Sequence, residues 1–263
     1  MLFAFQRPLI LVAHPDDETL GCAGLLQRMA ASLVVFATDG AAPRHGFEHT
    51  FGTLQRYSET RFQEAALVLQ QVPNCTFQRL VKPDGTHFVD ENLFQELPQA
   101  FASLCQMASR FSPDAIVSHT YEGGHIDHDA CSFLAMHVAV ALALPRFEFP
   151  LYHRSRNGTT ILQQFSDPGA DPIEWQLTET EVACKKKMLD AYASQPGLAS
   201  AFRLDAERIR PAIRTDFSVA PVRDYSYRNW WQRLWRGGLS ASALLWKFKE
   251  FEVRQHQQAR ERV

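Results

Sequence analysis

The chain has 263 residues, and 46% of them are hydrophobic, which is enough for one sizeable core. Its formal net charge of −2 gives no argument for a nucleic-acid partner. The five cysteines are odd in number and lack CxxC spacing, so they predict reduced, mostly buried thiols in a cytoplasmic protein.

The N-terminal sequence MLFAFQRPLILVAHPDDE has neither the basic start nor the small-residue cleavage site of a signal peptide. Its apolar run ends directly in acidic residues, and we interpret it as a first β-strand. The longest nearly apolar stretch, 133–144, is interrupted by His137 and falls short of the ~20 residues that cross a bilayer. The sequence therefore predicts neither a signal peptide nor a membrane-spanning helix.

Strand-like and helix-like segments alternate along the first 152 residues. The predicted strands are 8–13, 33–38, 75–80, 115–118 and 147–152, and the predicted helices are 20–31, 54–72, 92–110 and 130–144. Strands that are apolar throughout are buried on both faces, and alternation with helices indicates parallel crossover units. The pattern predicts an α/β fold with a mostly parallel central sheet and helices on both faces.

The pattern weakens after Pro150. We expect a loop at 167–172, a helix at 178–193 with Thr178 or Thr180 as its N-cap, an irregular segment at 203–228 and a final helix at 240–258. The predicted division is a catalytic domain at 1–222 and a Trp/Arg-rich helical extension at 223–263.

The C-terminal extension is rich in tryptophan and basic residues. Four of the five tryptophans lie in 227–246. One interpretation is an amphipathic segment that lies on a membrane surface. The other, which we favour, is a helix docked on the domain or on a partner subunit of a homo-oligomer, with tryptophans as packing anchors.

A first polar cluster follows the first strand, in the sequence LVAHPDDETLG. Ligands of open parallel sheets bind outside the carboxyl ends of the strands. His14 and Asp17 are three residues apart on a tight turn and can point an imidazole and a carboxylate at one metal ion. Asp16 then remains as a free carboxylate that can take a proton. The alternative for either aspartate alone is a helix cap.

A second polar cluster follows the fourth strand, in the sequence SHTYEGGHIDHDAC. His125 and His128 are three residues apart after a Gly-Gly loop. One histidine can complete a metal site, while the other protonates a leaving amine or stabilises an oxyanion. Asp127 can hold a ligand histidine in the required tautomer. His119 precedes the loop, and we expect it to be a buried, hydrogen-bonded histidine rather than a ligand.

These two motifs, AHPDDE and HxDH, resemble those of the PIG-L/LmbE-like family of zinc-dependent N-acetylglucosaminyl deacetylases. The resemblance covers roughly residues 8–215 and includes weaker matches, which are TDG at 38–40, Arg61 with Glu64, PDG at 83–85, Lys187 with YASQ at 192–195, and Glu207 with Arg210. It implies a Rossmann-like three-layer sandwich and an N-deacetylase that acts on an amino sugar or glycan conjugate.

The resemblance also implies roles for individual residues. His14, Asp17 and His128 would bind a single Zn²⁺, with Fe²⁺ as an alternative because this ligand set does not select strongly by softness. The catalytic pair would be Asp16 as base and His125 as acid or oxyanion stabiliser. The residues that contact the sugar would be Arg61 and Asp84. Arg56 with Glu59 offers a competing register for Arg61, and the alternative for Asp84 is an ordinary PDG turn.

Three other functions compete with a sugar deacetylase. A nucleotide-binding protein is disfavoured because the first turn lacks G-x-G-x-x-G, and because Gly21 and Gly24 lie too far into the helix to cradle phosphates. A non-catalytic glycan-binding module is disfavoured by the intact set of ligands and base. An amidase that acts on a thiol conjugate or another N-acyl group is the main alternative within the enzymes.

Overall fold

The computed structural model describes residues 3–43, 48–155, 157–167, 169, 171–221 and 241–261. Its strands are β1 (Pro8–Val12), β2 (Ser32–Phe36), β3 (Cys75–Arg79), β4 (Ala115–His119), β5 (Arg146–Phe149), β6 (Tyr152–Arg154), β7 (Thr160–Leu162), β8 (Ile173–Gln176) and β9 (Ala206–Pro211). The helices are α1 (Asp17–Arg28), α2 (Glu48–Phe51), α3 (Leu54–Leu69), α4 (Leu97–Phe111), α5 (Ile126–Leu142), α6 (Glu179–Asp190), α7 (Leu198–Ala201) and α8 (Ala241–Glu261).

Seven strands form one sheet in the order β3-β2-β1-β4-β5-β9-β8, while β6 and β7 form a separate hairpin. The first five strands of the sheet are parallel, and β9 and β8 continue it antiparallel at the β5 edge. The chain leaves β1 toward β2 and β3, and then crosses back to β4 on the other side of β1. The predicted α/β fold with a mostly parallel sheet is confirmed.

Alternate side chains of each buried strand enter two separate cores. Leu9 and Leu11 of β1 pack in one cluster with α4, α5 and α8. Ile10 and Val12 pack in the other with α1, α3 and α6. Because successive residues of a strand point to opposite faces, this alternation places helices on both sides of the sheet. The three-layer arrangement is therefore the one that the apolar strands predicted.

Two sequence-based expectations about the second half were wrong. The segment 203–228 was expected to be irregular, but β9 occupies Ala206–Pro211 and pairs with both β5 and β8; residues 222–228 lie outside the described residues. The predicted strand 147–152 is divided into β5 and β6, since Pro150 has no N–H to donate to a ladder. The expected cap is present, with Thr178 and Glu181 forming a capping box at the start of α6.

All five cysteines are free, but only Cys22 and Cys131 are buried, so the expectation of mostly buried thiols was wrong. None of the helices within the described ranges is long and apolar enough to span a membrane.

The helix α8 is docked on the domain. Its side chains Leu244, Phe248 and Phe251 are buried against α4 and α5, and Phe248 stacks on Phe133 with ring centroids 4.0 Å apart. The boundary drawn at 222/223 and most of the tryptophan-rich stretch lie outside the described residues. No contact in the described part of the chain supports the membrane contact or the homo-oligomer.

Candidate metal and catalytic site

The two motifs found in the sequence meet at one edge of the sheet. The first motif follows β1, the second follows β4, and these strands are neighbours. Strand order reverses between them, and open α/β sheets bind ligands in the crevice at such a reversal. The ring centroids of His14 and His125 lie 4.6 Å apart, and those of His14 and His128 lie 5.4 Å apart.

Buried histidines and aspartates crowd this edge in three overlapping groups, in each of which the donor atoms lie within 4.8 Å of one another: His14/His125/His128, His14/Asp90/His125/Asp127 and Asp17/His119/His128. None of these groups is by itself the predicted ligand set. A neutral imidazole has one N–H donor and one nitrogen lone pair. Hydrogen bonds of the rings therefore decide which nitrogen can bind a metal.

The His14 ring is oriented by Asp90. Its Nε2 lies 3.0 Å from Asp90 Oδ1. Although burial opposes it, the nearby His14 lowers the pKa of Asp90, so Asp90 is a carboxylate that only accepts hydrogen bonds. Although burial opposes it, Asp90 and the other nearby carboxylates raise the pKa of His14 well above its usual value, so the metal-free ring carries a proton on each nitrogen. Because Nε2 donates to Asp90, Nδ1 is the nitrogen whose proton a metal could replace. That Nδ1 atom lies 3.3 Å from Asp17 Oδ2.

The His125 ring has one of its two nitrogens already occupied by a hydrogen bond. Its Nδ1 accepts a hydrogen bond from the backbone N–H of Asp127 at 3.2 Å and caps α5. Burial, and then the nearby His14, hold the pKa of His125 well below its usual value, so the ring is neutral. Its Nε2 therefore carries a hydrogen, and this N–H lies on the side of Asp90 Oδ1, 4.0 Å away.

His119 and His128 also differ in whether their ring nitrogens already have hydrogen-bond partners. His119 Nε2 accepts a hydrogen bond from Ala13 N at 3.1 Å, so this lone pair is already used, as expected for a structural histidine. Both ring nitrogens of His128 are buried and lack a hydrogen-bond partner among the described residues. Its Nε2 lies 3.4 Å from Asp17 Oδ2. An orphaned buried nitrogen beside a carboxylate is what a metal ligand requires.

Asp17 Oδ2 lies between two ring nitrogens that a metal could bind, His14 Nδ1 and His128 Nε2. Two ligands of a tetrahedral zinc ion at ~2.0–2.1 Å lie about 3.3 Å apart. The carboxylate oxygen of Asp17 lies 3.3 Å from one of these nitrogens and 3.4 Å from the other. Both distances to Asp17 Oδ2 therefore match a mononuclear site in which His14, Asp17 and His128 would be the protein ligands.

Asp16 lies beside these ligands in an unusual conformation. Its backbone φ of 119° lies in a region that residues other than glycine rarely adopt, and such strain is concentrated at functional sites. Burial raises the pKa of Asp16 to about 7, even though the nearby Arg61 guanidinium lowers it. A carboxyl group with a pKa near neutrality is suited to accept and return a proton.

Arg61 is buried and holds three groups of the site. Its Nη2 donates to Asp16 Oδ2 at 2.9 Å and to Pro15 O at 2.7 Å, and its Nη1 donates to Gly40 O at 2.5 Å. Arg56, the competing candidate, is exposed. The register with Arg61 is therefore the one that reaches the site.

Arg61 and Glu64 do not form the exposed helix pair that was the alternative interpretation. Glu64 is buried, and its carboxylate accepts hydrogen bonds from the backbone N and the hydroxyl of Ser194. Both residues of this motif therefore link α3 to other parts of the fold.

Asp84 lies in an exposed turn, where its Oδ1 accepts hydrogen bonds from the backbone N and the hydroxyl of Thr86. No contact found in the described ranges joins it to the buried cluster. Asp90, which belongs to neither motif, lies in the buried cluster beside His14, and the substrate contact of Asp84 stays a prediction. The available signal was an acidic residue directly after the apolar pair Phe88–Val89, in the connection that follows β3.

Asp127 contacts the ligand His14 from a second direction. Its Oδ2 lies 3.6 Å from His14 Nε2 and accepts a hydrogen bond from Glu91 N at 2.6 Å. Burial raises the pKa of Asp127 to about 7. These contacts lie against the His14 ring, and the supporting role of Asp127 stays a prediction.

A family model described as GlcNAc-PI de-N-acetylase matches residues 9–139, a range that runs from β1 to α5 and contains both motifs. The chain belongs to the PIG-L family. Deacetylases of this family are metal-dependent enzymes, and the buried His/Asp cluster offers donors for a metal. None of the curated proteins compared with this PIG-L family member matches it significantly.

Solved structures share the fold of this PIG-L family member at low identity. The A40926 pseudoaglycone deacetylase Dbv21 is 16% identical with a TM-score of 0.62, over 80% of this chain and 98% of Dbv21. N,N'-diacetylchitobiose deacetylase from Pyrococcus horikoshii is 14% identical with a TM-score of 0.54, over 79% and 84% of the two chains. GalB, a 4-carboxy-2-hydroxymuconate hydratase from Pseudomonas putida, is 15% identical with a TM-score of 0.55, over 80% and 99%.

Proposed function

We propose that this protein is a zinc-dependent hydrolase that removes the N-acetyl group from an amino sugar or an N-acetylglucosaminyl conjugate. The observation that carries the proposal is the hydrogen bonding of the four histidines, which leaves His14 Nδ1 and His128 Nε2 beside one oxygen of Asp17. The family description supports the reaction. The names of Dbv21 and of the diacetylchitobiose deacetylase support a glycan-type substrate.

Zinc supplies Lewis-acid chemistry, since it polarises a carbonyl and lowers the pKa of water. Asp16 accepts the proton of the attacking water, and its Oδ2 is held by Arg61. The Nε2–H of His125 faces the site and donates to the developing oxyanion or to the leaving nitrogen. Asp90 and Asp127 hold the ring of His14, which fixes its tautomer.

The shared fold does not by itself select this reaction, because GalB is a hydratase. An amidase that acts on a thiol conjugate or another N-acyl group uses the same site chemistry and is the alternative. The five free cysteines support a cytoplasmic location.

The test is release of free amine from a panel of N-acetylated amino sugars and conjugates, with metal-stripped protein and with zinc restored. We expect zinc-dependent release from at least one member of the panel. Release only from N-acyl thiol conjugates would replace the sugar by the alternative substrate. Absence of both release and metal binding would contradict the site.

A further inference from the structure

A buried chain of hydrogen bonds connects the end of α6 to the backbone of Asp16. It runs through Tyr192, two residues beyond α6, and Glu18, in the first turn of α1. Tyr192 is 1% exposed and Glu18 is fully buried. A buried carboxylate that neither binds the metal nor faces the substrate needs another explanation.

The carboxylate of Glu18 is surrounded by donors. Its Oε1 accepts hydrogen bonds from the Tyr192 hydroxyl and from Thr19 Oγ1, the latter at 2.5 Å. Its Oε2 accepts a hydrogen bond from the backbone N of Asp16 at 3.0 Å. The backbone N–H of Asp16 can only donate, whereas each hydroxyl can also accept, so Glu18 must accept at the end that faces Asp16.

The backbone of Asp16 requires such a restraint. Its φ of 119° costs free energy for a residue with a side chain and persists only where the surroundings impose it. Glu18 holds the backbone N of Asp16, and Arg61 holds its side chain at Oδ2. The two contacts together fix where the carboxylate points.

We propose that Tyr192 and Glu18 are positioning residues that impose the strained conformation of Asp16 and so aim its carboxylate as the general base. The inference rests on the proposed function of Asp16. Tyr192 orients Glu18, and Glu18 in turn holds the Asp16 N–H. The C-terminal half of the chain thereby contributes to catalysis without touching the substrate.

The first test compares Tyr192→Phe with Tyr121→Phe. Each variant loses one buried hydroxyl, but the Tyr121 hydroxyl donates to Val219 O at 3.1 Å and makes no contact with Asp16 or Glu18. We expect Y192F to lower kcat about 10-fold, with KM and zinc content unchanged, because a ~1 Å misplacement of a catalytic group costs up to ~10²-fold. We expect Y121F to keep kcat.

Glu18→Leu is the second variant, and we expect it to lower kcat further than Y192F. A leucine side chain accepts no hydrogen bond, so the Asp16 N–H loses its partner along with the two hydroxyls. If Y192F retained the wild-type kcat, or lost activity only through a raised KM or lost zinc, the positioning role would be wrong.

A crystal structure of Y192F gives a result that does not depend on activity. We expect Asp16 to leave the positive-φ region in Y192F and to keep it in Y121F. An unchanged φ in Y192F would overturn the inference even if the enzyme is a deacetylase. A changed φ together with a wild-type protein that hydrolyses no N-acetyl substrate would instead contradict the proposed function alone.

Discussion

Single backbone N–H groups assign the roles of the histidines in this site. The amide of Asp127 occupies His125 Nδ1, and the amide of Ala13 occupies His119 Nε2. Each contact removes a lone pair from the metal and sets the tautomer of the ring. Under the proposed function, the division between ligands and proton donors follows from how β1, β4 and α5 meet.

Asp16→Asn should lower kcat by at least ~10²-fold, because the amide cannot accept the proton from water and general acid–base groups contribute ~10²–10⁴-fold. Bound zinc should stay at the wild-type level, since Asp16 Oδ2 pairs with Arg61 and not with the metal ligands. Steady-state kinetics and metal analysis of the same sample check both statements. A wild-type kcat in D16N would show that Asp16 is not the general base.

Asp90→Asn should weaken zinc binding about 10-fold, because substitution of groups that hold a ligand histidine costs ~10–100-fold in metal affinity. The matched control is Asp84→Asn, in an exposed turn, which should leave zinc affinity unchanged. Competition with a chelator measures both affinities. Equal zinc affinities of D90N and D84N would contradict the orienting role of Asp90. A raised KM in D84N would support the substrate contact predicted for Asp84.

Five residues of the proposed site could be predicted from the sequence because they lie in two short motifs at the ends of adjacent strands; they are His14, Asp16, Asp17, His125 and His128. Asp90 lies in a long connection without periodicity, and its proximity to His14 depends on the tertiary fold rather than on local sequence. Asp84 attracted attention because it stands in a PDG turn, which is also what an ordinary surface turn looks like.

At the level of elements, buried ion pairs join the C-terminal half to the helix that begins at the site. Lys185 of α6 donates to Glu207 Oε1 of β9 at 2.8 Å, and both side chains are essentially unexposed. Glu207 also accepts hydrogen bonds from Gly24 N and Leu25 N of α1. One pair therefore connects α6, β9 and α1.

Lys185→Met should lower the free energy of unfolding by about 3–5 kcal/mol, because it leaves the Glu207 charge buried without its partner. Lys187→Met, two residues away on an exposed position, should change it by no more than about 0.5 kcal/mol. Urea unfolding of both variants at one fixed zinc concentration makes the comparison. If the unfolding transitions of K185M and K187M coincided, the Lys185–Glu207 pair would not stabilise the fold.

The same pair explains why the second half of the chain was harder to predict. Strand β9 has the sequence AERIRP, in which Glu207 and Arg210 are buried with Lys185 and Glu148 as partners. Charged residues at buried positions hide the apolar pattern of a strand. The sequence match pointed to Lys187, whereas Lys185 is the buried lysine, because only the packing of α6 decides which face is inside.

On the scale of the whole molecule, the sheet topology brings the chemistry together. The apolar strands β1, β2 and β4 predicted a parallel sheet, and the reversal of strand order between β1 and β4 places both motifs in one crevice. The sequence predicted that the final helix docks, but the antiparallel edge of β9 and β8 and the surface of α4 and α5 that receives α8 were beyond its pattern. They depend on long-range pairing and packing rather than on local periodicity.

The most direct test of a mononuclear zinc deacetylase is a titration of zinc into metal-free protein, followed by release of free amine from the best substrate of the panel. The three ligand atoms of His14, Asp17 and His128 predict that activity is absent at the start, rises with added zinc and stops rising at about one equivalent per chain. Full activity in the metal-free protein would contradict the account.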